Sequence, residues 1–219
     1  MDSDIFRLEL SKFLNKFDAY SKSYFAKKIK ETKKYSPVVS DFYKKLEDFS
    51  QGGKKLRAFF VWLGYQVGTE GPFDFAQGKL RNKVLEDIEK ILSISLAFEM
   101  TQNFLLIHDD IMDNSDLRRS KPTVHKVYEK KFGPSTLRAR QHYGESMAIT
   151  LGDIASMEAF RIIADSDFDN QRKVEAQRLF AEVLLETAYG QGLDVEYANR
   201  EPSFRRLRKF CLKQLMVKV

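Results

Sequence analysis

The stretch 91-ILSISLAFEMTQNFLLI-107 decides the fold class. It is the most apolar run of the chain, yet Ser93, Ser95, Glu99, Thr101, Gln102 and Asn103 interrupt it. A bilayer span needs about 20 predominantly apolar residues. This run is too broken for that and suits a helix buried inside a protein. It lies within the longest helical pattern of the chain, residues 84–113, which closes at Asn114-Ser115. Upstream, Ile5, Leu8, Phe13, Leu14, Phe17, Tyr20 and Phe25 recur at helical spacing over residues 4–35. Pro37 interrupts, and a second helix is predicted from near Val39 through Phe42, Leu46 and Phe49 to the break at Gly52-Gly53. Residues 56–67 are almost wholly apolar, which predicts another buried helix. Downstream, 144–163 and 171–199 read as helices on either side of a turn at 165–170, and a last segment begins after Pro202. No alternating strand pattern and no internal repeat emerges. The class is all-α.

Composition agrees. The 219 residues are 43% hydrophobic and 31% charged, with 5 Pro and 11 Gly, which describes one globular, helix-leaning domain. The single cysteine, Cys211, excludes an intramolecular disulfide framework and fits a reducing cytoplasm. The start, MDSDIFRLEL, has no basic region followed by an apolar core, so no secretory signal is read there. Residues 68–79, GTEGPFDFAQGK, are rich in turn formers and read as a surface loop insertion between helices. The formal charge of +6 admits nucleic acid, a membrane surface or a phosphorylated small molecule as partner. Nucleic acid is set aside, because the basic residues are scattered at helical intervals and the sharpest motif is acidic.

That motif is 107-IHDDIMDNSDLRRSKPTVH-125. On a helix, Asp109 and Asp113 stand one above the other, and Asp110, rotated by about 100°, flanks them. Like charges near a helix C-terminus destabilise a bare helix, because the dipole there is negative as well. A divalent cation reverses that penalty, and magnesium favours one or two carboxylates together with substrate phosphates. Arg118 and Arg119 supply planar, permanently charged forks suited to phosphate oxygens. The apolar approach 104-FLLI-107 sets the carboxylates at the mouth of a buried space. A second basic cluster, 52-GGKKLR-57, combines a tight glycine turn with Lys54 and Arg57, three apart at the start of a predicted helix and so expected on one face.

With both clusters in view, the chain resembles the trans-isoprenyl diphosphate synthases of the polyprenyl synthetase family, in particular farnesyl and geranylgeranyl diphosphate synthases. Four segments match in order: 52-GGKKLRA-58, 109-DDIMDNSDLRRSKPTVH-125, 142-HYGESMAITLGD-153 and 189-YGQGLDV-195. The resemblance implies a bundle of mostly antiparallel helices around a central cavity. It implies magnesium-dependent prenyl transfer from an allylic diphosphate to isopentenyl diphosphate. By that resemblance Asp109 and Asp113 would be the magnesium ligands, with Asp110 supporting, and Arg118 would grip the allylic diphosphate. Lys54, Arg57 and Arg119 would bind isopentenyl diphosphate, Gln191 and Asp194 would line the cavity, and Lys218 matches a later substrate-contacting lysine. Phe104, five positions before Asp109, would floor the elongation cavity and suggest a fifteen- to twenty-carbon product. A cytoplasmic homodimer without a transmembrane segment is expected on the same footing.

The sequence also departs from the family pattern. Gln102 stands where many members carry a histidine that contacts isopentenyl diphosphate, Ser120 where glycine is usual, Ala58 where proline is usual, and Val219 where threonine often follows the lysine. The second aspartate-rich motif of the family is expected beyond residue 219. The chain therefore reads as the N-terminal portion of a single polyprenyl synthetase-like domain over 1–219, with the C-terminal helices missing. Such a chain is expected to be a fragment of a synthase, a split-gene product completed by a partner, or a decayed copy, and the alternative to a prenyltransferase is a non-catalytic, synthase-like partner subunit or an inactive fragment.

Overall fold

The broken apolar run forms the spine of the protein. In the computed structural model, which describes residues 3–51, 53–70, 87–131, 133 and 135–198, seven helices and one short hairpin are present. In chain order the helices are α1 (Ser3–Thr32), α2 (Pro37–Ser50), α3 (Leu56–Glu70), α4 (Ile88–Met112), α5 (Val124–Lys131), α6 (Leu137–Ala164) and α7 (Asn170–Ala198). Between α4 and α5, β1 (Leu117–Arg118) pairs antiparallel with β2 (Lys121–Pro122). The chain divides into two compact units, residues 1–168 and 169–219.

In the first unit, α4 lies against α6, α3 and α1, and α6 also packs on α5. Ile91, Leu96, Ala97, Met100 and Ile107 of α4 are almost inaccessible. This helix is long and apolar enough to cross a membrane by length and composition, but 61% of its apolar window is buried within the protein, as expected of a core helix. Aromatic side chains join α1 to α3: Phe59 stacks on Trp62 with centroids 5.4 Å apart, and Phe13 lies 5.6 Å from Phe59. Small residues of α6, Ala148, Ala155 and Ala159, are fully buried and let helices approach closely. At Gly152 the approach is so close that a Cβ would overlap the His108 ring, which wedges α4 onto α6 one residue before Asp109.

A buried polar knot ties α1, α2 and α6 together. The Tyr24 and Tyr43 hydroxyls each donate to the Glu158 carboxylate at 2.5 Å, and Lys28 and Arg161 lie 3.3 and 3.1 Å from its Oε2. Burial, followed by the bond to Glu158, holds both phenols well above the ordinary tyrosine range.

Helix starts follow local chemistry. Ser36 caps α2, its Oγ accepting from the Val39 N–H at 3.2 Å, with Pro37 in the first turn, so this helix begins two residues before the position read from the pattern. Thr136 caps α6 in the same way through the Ala139 N–H, and α6 begins seven residues earlier than predicted. Helix α5 has no counterpart in the predicted elements. The all-α class stands, while the expectation of no strand is corrected by the two-residue strands of the hairpin. Helix α3 continues to Glu70, so residues 68–70 of the predicted loop are helical, and 71–79 lie outside the described residues.

The second unit contributes α7 alone to the described residues. Asp169 starts it, its Oδ1 accepting from the Arg172 N–H at 3.0 Å, and Arg178 bridges Glu175 and Glu182 along the exposed face.

Candidate diphosphate and metal site

The acidic motif ends α4 in a Schellman turn. Asp113 caps the helix, Asn114 takes the left-handed conformation at φ +50°, the Asn114 N–H donates to the Ile111 carbonyl at 3.1 Å, and the Ser115 N–H donates to the Asp110 carbonyl at 2.9 Å. The chain then turns back as the hairpin. Arg119 and Ser120, at its tip, have φ +53° and +61°, the pair of positive angles that matches a two-residue turn to the twist of its strands. Thr123 closes the base: its hydroxyl donates to the Ser115 carbonyl at 2.8 Å and its N–H to the Asp116 carbonyl at 3.0 Å.

The hairpin sends its two arginines to different places. Arg118 turns to the acids: its Nε donates to Asp110 Oδ1 at 2.7 Å and its Nη2 to Asp109 Oδ2 at 3.1 Å. Arg119 lies against the glycine turn, where a Cβ built on Gly53 would stand 2.9 Å from its Nη2. Gly53 holds φ +91°, so a side chain there would be strained as well as crowding Arg119. Lys54, Arg57 and Arg119 are all exposed. The structure thus brings Arg119 to the 53–57 turn and Arg118 to Asp109 and Asp110.

Two expectations change in detail. Lys54 precedes α3 rather than lying on it, because Lys55 breaks the helical path at φ +51°, so helical spacing does not relate Lys54 to Arg57. Asp110 is more than a flanking acid: it is 1% exposed and takes the shortest Arg118 bond, while its Oδ2 has no partner among the described residues. Burial pushes its carboxyl above the ordinary range, and Arg118 pulls against that.

The carboxylates fit a divalent cation. The Asp113 N–H bonds the Asp109 carbonyl at 2.9 Å, so the two residues stand one helical turn apart at the negative end of α4. Asp113 is exposed and the Asp109 side chain is 35% exposed, leaving both oxygen donors within reach of a ligand. Among the described residues no group of three or more His, Cys, Asp or Glu forms a closed metal cage. Two carboxylates, with water and substrate oxygens completing the shell, are the set magnesium accepts.

Beneath the glycine turn lies a network that sequence reasoning missed. Lys55, 9% exposed, is not part of the solvent-facing basic cluster: its Nζ donates to the Ser50 carbonyl and to Glu99 Oε2, the latter at 3.0 Å. Asn103, one turn along α4 from Glu99, donates to the Ser50 hydroxyl at 2.5 Å. Leaving either member of such a buried pair alone costs about 3–5 kcal/mol. A signal was present, because Glu99 and Asn103, four apart on the core helix, require partners once buried.

Gln102 is half-buried beside Asn103, and Phe104 is half-buried with its ring edge-on to His108 at 4.8 Å. Gln191 and Asp194 lie on α7 in the second unit. Lys218 and Cys211 lie outside the described residues.

A family model described as Polyprenyl synthetase matches residues 39–213. A short chain isoprenyl diphosphate synthase of Methanocaldococcus jannaschii is 33% identical over 152 residues, covering 69% of this chain and 37% of that protein. A geranylgeranyl pyrophosphate synthase of Geoglobus acetivorans is 34% identical over 150 residues, covering 68% and 37%. Among solved structures, a geranylgeranyl pyrophosphate synthase of Corynebacterium glutamicum, complexed with isoprenyl diphosphate and magnesium, superposes with a TM-score of 0.70 at 24% identity over 88% of this chain and 52% of that one. A geranyltransferase of Helicobacter pylori gives 0.63 at 19% identity, covering 96% and 63%. At these identities the structures speak for the fold. The chain spans well under half the length of these curated relatives.

Proposed function

We propose that this chain, which belongs to the polyprenyl synthetase family, binds two diphosphates and takes part in magnesium-dependent condensation of isopentenyl diphosphate with an allylic diphosphate. The observation that carries this reading is the divergence of the two adjacent arginines. Arg118 sits with Asp109 and Asp110, and Arg119 sits on the Gly53 turn near Lys54 and Arg57. One hairpin therefore serves an acidic cluster suited to a metal-bound diphosphate and a basic cluster suited to a metal-free one.

In this reading Asp109 and Asp113 hold magnesium, and Arg118, oriented by Asp110, contacts the allylic diphosphate. Magnesium, when bound there, would supply charge neutralisation for the departing diphosphate. Arg119, Lys54 and Arg57 hold isopentenyl diphosphate by charge-assisted bonds, with Gln102 as a further donor. Preorganised donors on each diphosphate set the two substrates against each other. Phe104, on the apolar approach to Asp109, limits product length to fifteen to twenty carbons. The departing diphosphate can accept the proton that the condensed product loses, so no side-chain base is assigned. Gln191, Asp194 and Lys218 are further ligands by family position.

The family match runs from residue 39 to residue 213, across both units, which supports reading 1–219 as part of one domain. A second aspartate-rich motif, from a further segment or a partner, would complete the clamp. We read the protein as cytoplasmic and homodimeric on family grounds.

The test is a prenyl-transfer assay on the purified chain with radiolabelled isopentenyl diphosphate, short allylic diphosphates and magnesium, alongside Asp109→Ala. Turnover abolished by Asp109→Ala is the expected result for a self-sufficient site. No turnover from the folded chain, restored when the remaining part of a family member is supplied, assigns it as one half of the enzyme. Turnover indifferent to Asp109→Ala contradicts the assigned site.

A further inference from the structure

The basic segment 53–57 splits into exposed and buried members, and the buried one does not face a ligand. Lys55 points inward, its ammonium held by Glu99 of α4 and by the carbonyl of Ser50 at the end of α2. Ser50 is fixed from the same helix by Asn103. Lys55 and Gly53 both hold left-handed backbone angles, φ +51° and +91°, so the turn between α2 and α3 follows a path an ordinary lysine avoids. Something must hold it there, and the Lys55 ammonium, bonded to two buried partners, is the group in place to do so. The turn it holds is the one on which Arg119 rests.

We infer that Lys55 and Glu99 form an internal latch that fixes the Gly53–Lys54 turn against Arg119, and so sets the affinity of Lys54, Arg57 and Arg119 for a diphosphate. The inference rests on the diphosphate reading above. Glu99 and Lys55 are positioning residues: neither touches the ligand, and each acts through the backbone of the turn. With the latch closed, three cations are displayed at fixed separations. With it open, Lys55 is freed to solvent, Gly53 relaxes, and Arg119 loses the surface it rests on. Net charge at the site does not fall in the Glu99→Gln variant, so any loss of affinity there reflects geometry rather than electrostatic attraction.

The experiment pairs hydrogen exchange of the 50–60 segment with calorimetric titration by inorganic pyrophosphate, on the unaltered chain, Glu99→Gln, and the double variant Lys55→Met with Glu99→Leu. The double variant leaves no lone buried charge and so retains the fold. Exchange in α6 reports folding in each case. The expected result is faster exchange in 50–60 in both variants, unchanged α6, and pyrophosphate binding weaker by roughly tenfold. Unchanged exchange in 50–60 overturns the latch, and so does faster exchange with undiminished affinity. Failure of the unaltered chain to bind pyrophosphate overturns the diphosphate reading instead, and the exchange arm then decides the latch by itself.

Discussion

At Ser120 the chain holds φ +61°, a region that costs a residue with a Cβ about 1 kcal/mol and glycine nothing. The family resemblance placed glycine there, and the hairpin supplies the physical reason. Ser120→Gly is accordingly expected to raise unfolding stability by about 0.5–1 kcal/mol, measured by denaturant titration, without weakening diphosphate binding. His125 is a different case. Burial first, then Lys126, holds its imidazole below the ordinary 6.5, against Asp110, Glu145 and Glu129, and neither ring nitrogen has a partner among the described residues. The folded state therefore resists a proton that the unfolded chain accepts. Its contribution to stability is present above 6.5 and is lost as pH falls through that value toward the lower folded one. The melting temperature should fall between about pH 7.5 and about pH 5.5, and His125→Asn should flatten that slope. At this scale the acids and arginines were legible because their chemistry is local in sequence. The inward turn of Lys55 was not, since its partner Glu99 lies 44 residues away and nothing local separates Lys55 from Lys54.

Among the elements, α4 carries the most information and was the easiest to read. Its apolar content and its polar interruptions both follow from burial: Glu99 and Asn103 hold the glycine turn, and His108 locks onto α6. The hairpin was missed for a physical reason. Two-residue strands have no room for alternation, and Arg119-Ser120 lacks the glycine or asparagine that marks such a turn. Short α5, with only eight residues, offers too few turns for a period to register. Phe104 and His108 meet edge-on along α4, so the aromatic ring is held rather than free to swing. Phe104→Ala is expected to lengthen the prenyl product of the active enzyme, read as a shift in the chromatographic product profile. An unchanged profile would remove Phe104 from length control.

For the molecule as a whole, the helical class and the two charged clusters could be read from the sequence, and the seven helices among the described residues bear out the class. What could not be read was how the clusters are related, because that depends on the hairpin fold-back that carries Arg118 and Arg119 in different directions. Calorimetric titration with isopentenyl diphosphate separates the roles of the two arginines. Losing one charge-assisted contact costs about 1.5–3 kcal/mol, or about tenfold or more in affinity. Arg119→Gln should weaken isopentenyl diphosphate binding by that amount, while Arg118→Gln leaves it within about twofold. Equal losses from the two variants, or a larger loss from Arg118→Gln, would contradict the assignment of the adjacent arginines to separate diphosphates.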